Sequence, residues 1–231
     1  PANEVFATLA GQTRDIILPD GTQATLGAGS KLEMSLSDRE RRAVLHWGTV
    51  FFSVEPEPHR PFVVRSGAAS VRVLGTAFDL QRREDKLYVQ VAEGEVEVAL
   101  PMRTRQGDTA GEWVRRDGDV LTKRLLNAGD SLIASKARGL EAVSSVAIDD
   151  IGAWRDGRLV YLQTPVSEVI SDVNRYTDDP IAVHESIAGM TLSATFSSQD
   201  IEGLLVSLQA VLPVKISQQD GSRYLVPDES R

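Results

Sequence analysis

Gly75 followed by Thr76 is the one bond in this sequence that could carry chemistry by itself. A threonine hydroxyl can attack the carbonyl that precedes it when the amide is strained. The product is an ester, which water opens. The pair lies between Val71-Arg72-Val73-Leu74 and Ala77-Phe78, so a second reading is a bulge or tight bend in a strand. Glycine would then serve close approach, and threonine β propensity. On chemistry alone self-cleavage at such a pair is rare, and both readings stay open. The remaining chemistry is sparse. His46, His59 and His184 have no acidic or histidine neighbour at ligand spacing, so no metal site is expected. The absence of cysteine excludes disulfides, thiolate metal sites and cysteine nucleophiles. There is no Walker A run, no G-x-G-x-x-G after a strand and no G-x-S-x-G elbow. Gly27-Ala28-Gly29-Ser30 has no helix behind it, which a phosphate cradle needs. The carboxylate pairs Asp149-Asp150 and Asp178-Asp179 are adjacent in polar surroundings and read as solvated. No cofactor is expected, and no catalytic residue beyond the Gly75-Thr76 pair.

The charge balance removes further classes. The chain of 231 residues has 33 acidic and 25 basic residues, a formal net charge of −8. A nucleic-acid binder concentrates Lys and Arg against phosphates. Here the densest basic runs, Arg39-Glu40-Arg41-Arg42 and Gln81-Arg82-Arg83, carry or adjoin acids. Neither nucleic acid nor an anionic membrane surface is an expected partner. No run approaches the roughly 20 apolar residues that span a bilayer. The start at Pro1-Ala2-Asn3-Glu4 reads as a processed or excised fragment, with any upstream anchor outside it.

The elements around these residues divide the chain. Residues 1–145 read as a mainly β domain of many short strands. Ile16-Ile17-Leu18 runs into Pro19-Asp20-Gly21, then Gln23-Ala24-Thr25-Leu26, with turn chemistry between β-prone runs. Leu87, Val89 and Val91 alternate with polar residues, Ala92-Glu93-Gly94 turns the chain, and Val96 and Val98 resume the alternation. That period of two marks half-buried strands. A sandwich, barrel or solenoid all fit. Arg103 to Gly118 is polar and glycine-bearing and reads as a long hairpin or an excursion from the sheet.

Residues 146–153 are expected to connect, with Ser144-Ser145 and Asp149-Asp150 marking the change. Residues 154–231 read as a small α+β domain. Thr164-Pro165 signals a helix start, Thr as cap and Pro at the first turn. Val166, Val169, Ile170 and Val173 then form one apolar face, and Ile201, Leu204, Leu205 and Leu208 repeat it at an offset of 35, with Ser198 as a second cap. Two β-α-β units follow, expected to share one sheet.

The motifs together resemble a known family. Leu18-Pro19-Asp20-Gly21-Thr22, Gly48-Thr49-Val50-Phe51-Phe52-Ser53-Val54, Arg60-Pro61-Phe62-Val63-Val64, Leu74-Gly75-Thr76-Ala77-Phe78, Val91-Ala92-Glu93-Gly94-Glu95-Val96 and Leu126-Asn127-Ala128-Gly129-Asp130 resemble, in order, the elements of the FecR periplasmic β domain. Thr49 stands where glutamate is common. Trp154-Arg155-Asp156-Gly157-Arg158-Leu159 and Asn174-Arg175-Tyr176 resemble the closing segment of these regulators, and the tail from about Leu159 looks like an STN domain.

The resemblance implies the periplasmic sensing region of a single-pass inner-membrane sigma-factor regulator (an anti-sigma factor of cell-surface signalling). Its implied partner is the signalling domain of a TonB-dependent outer-membrane siderophore receptor, and its output is control of iron-uptake transcription. The sigma factor would be held only by a cytoplasmic segment absent from this chain. Some members self-cleave at the Gly-Thr within the L-G-T-x-F element, the position of Gly75 and Thr76.

A sheet edge offers unpaired backbone groups for β-augmentation. The edges expected here are Leu192-Ser193-Ala194-Thr195-Phe196 and Tyr224-Leu225-Val226. The side chains of Leu192, Ala194 and Phe196 are expected to face the core. Two other classes compete. A β-rich hydrolase or carbohydrate-binding protein would need stacking platforms, and only 6% of residues are aromatic. A structural subunit of a secretin-like envelope assembly would leave residues 1–145 without a role.

Overall fold

The computed structural model describes residues 3–38, 40–101, 113–116, 119–219 and 221–229. The polar stretch expected as an excursion lies largely outside them. Two compact units emerge: Pro1–Thr8 with Thr13–Gly152, and Leu9–Gln12 with Ala153–Arg231.

The first unit is a sandwich of two sheets that share one strand. One sheet runs β1 (Asn3–Ala7), β4 (Lys31–Leu36), β5 (Arg41–Ser53), β6 (Phe62–Ser66), β7 (Ala69–Val73), β10 (Glu95–Pro101), β12 (Asp119–Asn127) and β11 (Trp113–Arg116). The other runs β2 (Arg14–Ile17), β3 (Gln23–Leu26), again β5, β8 (Ala77–Arg83), β9 (Lys86–Glu93) and β13 (Asp130–Ser135), which carries both β14 (Gly139–Leu140) and β15 (Ser144–Ser145). Ser144-Ser145 therefore belongs to the β unit: Ser131 pairs with Ser144 and Asp130 with Ser145.

β5 serves both layers because it turns at Gly48. Arg41 to Trp47 pair with β4, and Arg41 to Val44 also with β6. Gly48 to Ser53 pair with β8, the last four of them also with β3. Gly48 has φ +93°, and a Cβ there would lie 2.4 Å from the Ser30 Cβ. Only glycine fits that approach. The Ser30 hydroxyl uses the space to accept from the Thr49 N–H at 2.8 Å. Apolar residues alternating along both layers meet in one core. Phe52 joins the layers at its centre, with ring centroids 5.2 Å from Phe62 and 5.4 Å from Phe78.

The second unit holds β16 (Arg158–Pro165), α1 (Val166–Val173), β17 (Ile181–Val183), α2 (Glu185–Ala188), β18 (Thr191–Ser197), α3 (Ile201–Val211), β19 (Val214–Gln219) and β20 (Ser222–Pro227). The two β-α-β stretches are present in chain order, but they do not share one sheet. Their leading strands β16 and β18 pair antiparallel with each other. The trailing strands β17 and β19 flank β20, β17 parallel and β19 antiparallel. Val166, Val169, Ile170, Val173, Leu204, Leu205 and Leu208 are all buried, each stabilising by ~1.5–3 kcal/mol relative to exposure.

The helix starts differ from the expected caps. Thr164 and Pro165 end β16, and no side chain caps α1. The Val166 N–H is taken instead by the Met190 carbonyl at 2.7 Å. Asp200, not Ser198, caps α3, accepting from the Gly203 N–H at 2.9 Å.

Candidate functional site

The Gly75-Thr76 pair forms a bend between β7 and β8. The chain leaving β5 holds it by two backbone bonds: Glu57 N–H donates to Leu74 O at 2.8 Å, and Val54 N–H to Thr76 O at 2.9 Å. Gly75 is there for proximity. A Cβ on it would lie 2.7 Å from the Pro56 Cα. Gly94, with φ +81°, lets the turn after β9 press on the bend, where a Cβ would lie 2.8 Å from the Thr76 Cγ2. Close packing thus accounts for both glycines.

Packing does not account for the hydroxyl. Thr76 is 6% exposed, and among the described residues its Oγ1 has no hydrogen-bond partner. A buried hydroxyl without a partner costs about 1–3 kcal/mol. Beside it lies a cavity of ≈ 210 Å³, whose lining includes Gly21, Ser53, Glu55, Pro56, Thr76 and Glu93. Two acidic residues and Thr76 therefore line one small, polar space.

A buried ionic cluster braces the same end of the sandwich. Arg41 is fully buried. It donates from Nη1 to Asp20 Oδ2 at 3.1 Å and to the Glu55 carbonyl at 2.9 Å, and from Nε to the Arg60 carbonyl at 2.7 Å. Asp20 also accepts from the N–H and the hydroxyl of Thr22, and the Thr22 hydroxyl accepts from the Glu55 N–H at 3.2 Å. Arg60 clamps Glu57 through Nε at 2.6 Å and Nη2 at 3.0 Å. That bidentate bond holds the Glu57 carboxyl below its ordinary range, with the nearby charges of Arg60 and Arg41 adding to it against desolvation. Leu18–Thr22, Val54, Arg60–Phe62, Leu74–Phe78 and Glu93-Gly94, five of the motif elements, therefore meet at one place. Arg41 was missed in the sequence, where it sits in a mixed-charge run. The alternation Arg41, Ala43, Leu45 was the available clue, since all three are buried.

The two expected edges part ways. β18 pairs only with β16 among the described residues, so Leu192–Phe196 does present an open edge. Its burial alternates: Leu192 is buried, Ala194 and Phe196 half-buried, and Ser193 and Thr195 exposed. β20 is not an edge. Leu225 pairs with Val183 on one side and Ile216 on the other, and Tyr224 with Ala182 and Ser217. Tyr224, Leu225 and Val226 lie on the central strand of three, because β17 docks parallel on the side the sequence left open. Opposite Ser193, β16 bulges between Tyr161 and Thr164. Gln163 there has φ +48°, and its N–H donates to Ser193 Oγ at 2.8 Å.

Among the described residues no group of three or more His, Cys, Asp or Glu side chains could hold a metal ion, and no helix is long and apolar enough to cross a membrane. The His184 ring serves as the cap of α2, Nδ1 accepting from the Ser186 N–H at 3.2 Å.

No curated protein matches the chain. Two crystal structures of a proposed anti-sigma factor from Parabacteroides distasonis ATCC 8503, at 1.65 and 2.50 Å resolution, share its fold. Each matches with a TM-score of 0.82 and 22% identity, over 97–98% of this chain and 99% of that one. The family profile described as FecR protein matches residues 4–97, the stretch that contains the converging motifs from Leu18 to Gly94. The chain is thus similar to the FecR family over residues 4–97, and it is β-rich with a small α+β unit following in sequence.

Proposed function

We propose that this chain is the periplasmic sensing part of a transmembrane sigma-factor regulator, acting by binding another protein. The observation that carries the reading is the FecR-family match on residues 4–97 within a fold shared end to end with a proposed anti-sigma factor. The partner is the N-terminal signalling domain of a TonB-dependent outer-membrane siderophore receptor, and the output is iron-uptake transcription. The second unit acts as an STN-like module, and the open edge of β18 is its docking strand. Titration of the purified chain with signalling domains from such receptors, followed by calorimetry, tests this. Saturable 1:1 binding to at least one domain is expected; no heat with any domain of the same cell would remove the reading.

A second reading concerns the Gly75-Thr76 bond, which opens by attack of the Thr76 hydroxyl on the Gly75 carbonyl. It is supported by the buried hydroxyl that no packing argument explains. Mass spectrometry of freshly purified protein decides it. Fragments ending at Gly75 and beginning at Thr76 are expected, and a single intact mass that survives long incubation would exclude cleavage.

A further inference from the structure

We propose that Glu93 is the proton acceptor for the Thr76 hydroxyl, a role that rests on the cleavage reading and deepens it. Three observations place it. Thr76 Oγ1 is buried without a partner among the described residues, so none of them already holds its proton. Glu93 lines the same cavity and pairs across the sheet with Ala77, the neighbour of Thr76. Gly94 brings the turn that carries Glu93 against the Thr76 methyl group. Glu55, the other acidic residue on the cavity, lies beside Gly21. Its side chain lies 3.7 Å from where a Gly21 Cβ would sit, and its backbone joins the Arg41 cluster.

The step balances. Glu93 takes the proton from Thr76 Oγ1 as the oxygen bonds to the Gly75 carbonyl carbon. The carbon–nitrogen bond then breaks, and the Thr76 nitrogen takes the proton back from Glu93. An ester joins Gly75 to Thr76 Oγ1, and Thr76 has a free amine. Water adds to the ester, leaving a carboxylate on Gly75 and the hydroxyl on Thr76. General-base assistance of this kind contributes typically 10²–10⁴-fold.

The test follows full-length chains made by pulsed cell-free synthesis, with the fragment fraction read by mass against time. Glu93→Gln is expected to slow cleavage about 100-fold while keeping the wild-type melting profile, and Glu55→Gln to leave the rate within about threefold. Glu93→Ala is expected to be slow and to recover in added formate, a small carboxylate that can enter the cavity. Formate rescue separates proton transfer from packing. Wild-type speed in Glu93→Gln, or a slow Glu93→Ala that formate leaves unchanged, overturns the role of Glu93 while the cleavage reading stands. A wild-type chain that never cleaves overturns both.

Discussion

At the scale of single residues, side chains whose presence packing alone does not explain say most about function. Valine matches the shape of Thr76 without a hydroxyl to strand. Thr76→Val is therefore expected to raise stability by about 1–3 kcal/mol, read by urea unfolding, and to stop any cleavage. Unchanged stability would mean that the hydroxyl is satisfied in solution. Arg41 gives the opposite sign. Its guanidinium is buried against Asp20 and two carbonyls, so Arg41→Met leaves the buried Asp20 carboxylate without its cation, at a cost of about 3–5 kcal/mol. Asp20→Asn with Arg41→Met is expected to cost clearly less than the sum of the two single changes. Additive effects in that cycle would mean that the pair contributes no coupling.

Elements show why some of the fold was legible and some was not. The strand alternation of β9 and of β10 as far as Val98, and the apolar faces of α1 and α3, stand in the sequence because each has one buried face there. β5 did not read as a shared strand, since nothing local announces that thirteen residues serve two sheets; the signal is one glycine. Gly48→Ala is expected to destabilise by about 3 kcal/mol or more, from a left-handed φ and a clash with Ser30 together, measured by thermal unfolding. A loss below about 1 kcal/mol would show that the bend relaxes. The segment after β5 is held by Glu57 and Arg60, and its pH dependence has a definite sign. Folding lowers the Glu57 carboxyl below its ordinary 4.5. The stability it adds is thus present above that pH and is lost as the pH falls through the lower folded value. Between pH about 6 and about 3 the wild type is expected to lose more stability than Glu57→Gln. Parallel profiles would mean that the clamp is open in solution.

For the whole molecule, pairing topology decides which surface is available to a partner, and topology was the least legible level. Both predicted edges had the same local appearance: a short apolar run beside a turn. β20 became central only because β17, three residues long, pairs with it in parallel across more than 35 intervening positions. No local pattern records such a contact. β18 kept its edge, so augmentation is argued there alone. Proline at Ser193 removes a strand donor and its ring crowds the incoming chain, but it also removes the hydroxyl that accepts from Gln163. Ser193→Ala removes only the hydroxyl and keeps the N–H. If a partner strand pairs with β18, Ser193→Pro is expected to weaken binding tenfold or more, about 1.4 kcal/mol, and Ser193→Ala to leave it within about twofold, with circular dichroism showing both folded. Wild-type affinity in both variants would move the partner to another surface. Equal losses would tie binding to the Gln163 bulge rather than to the strand backbone.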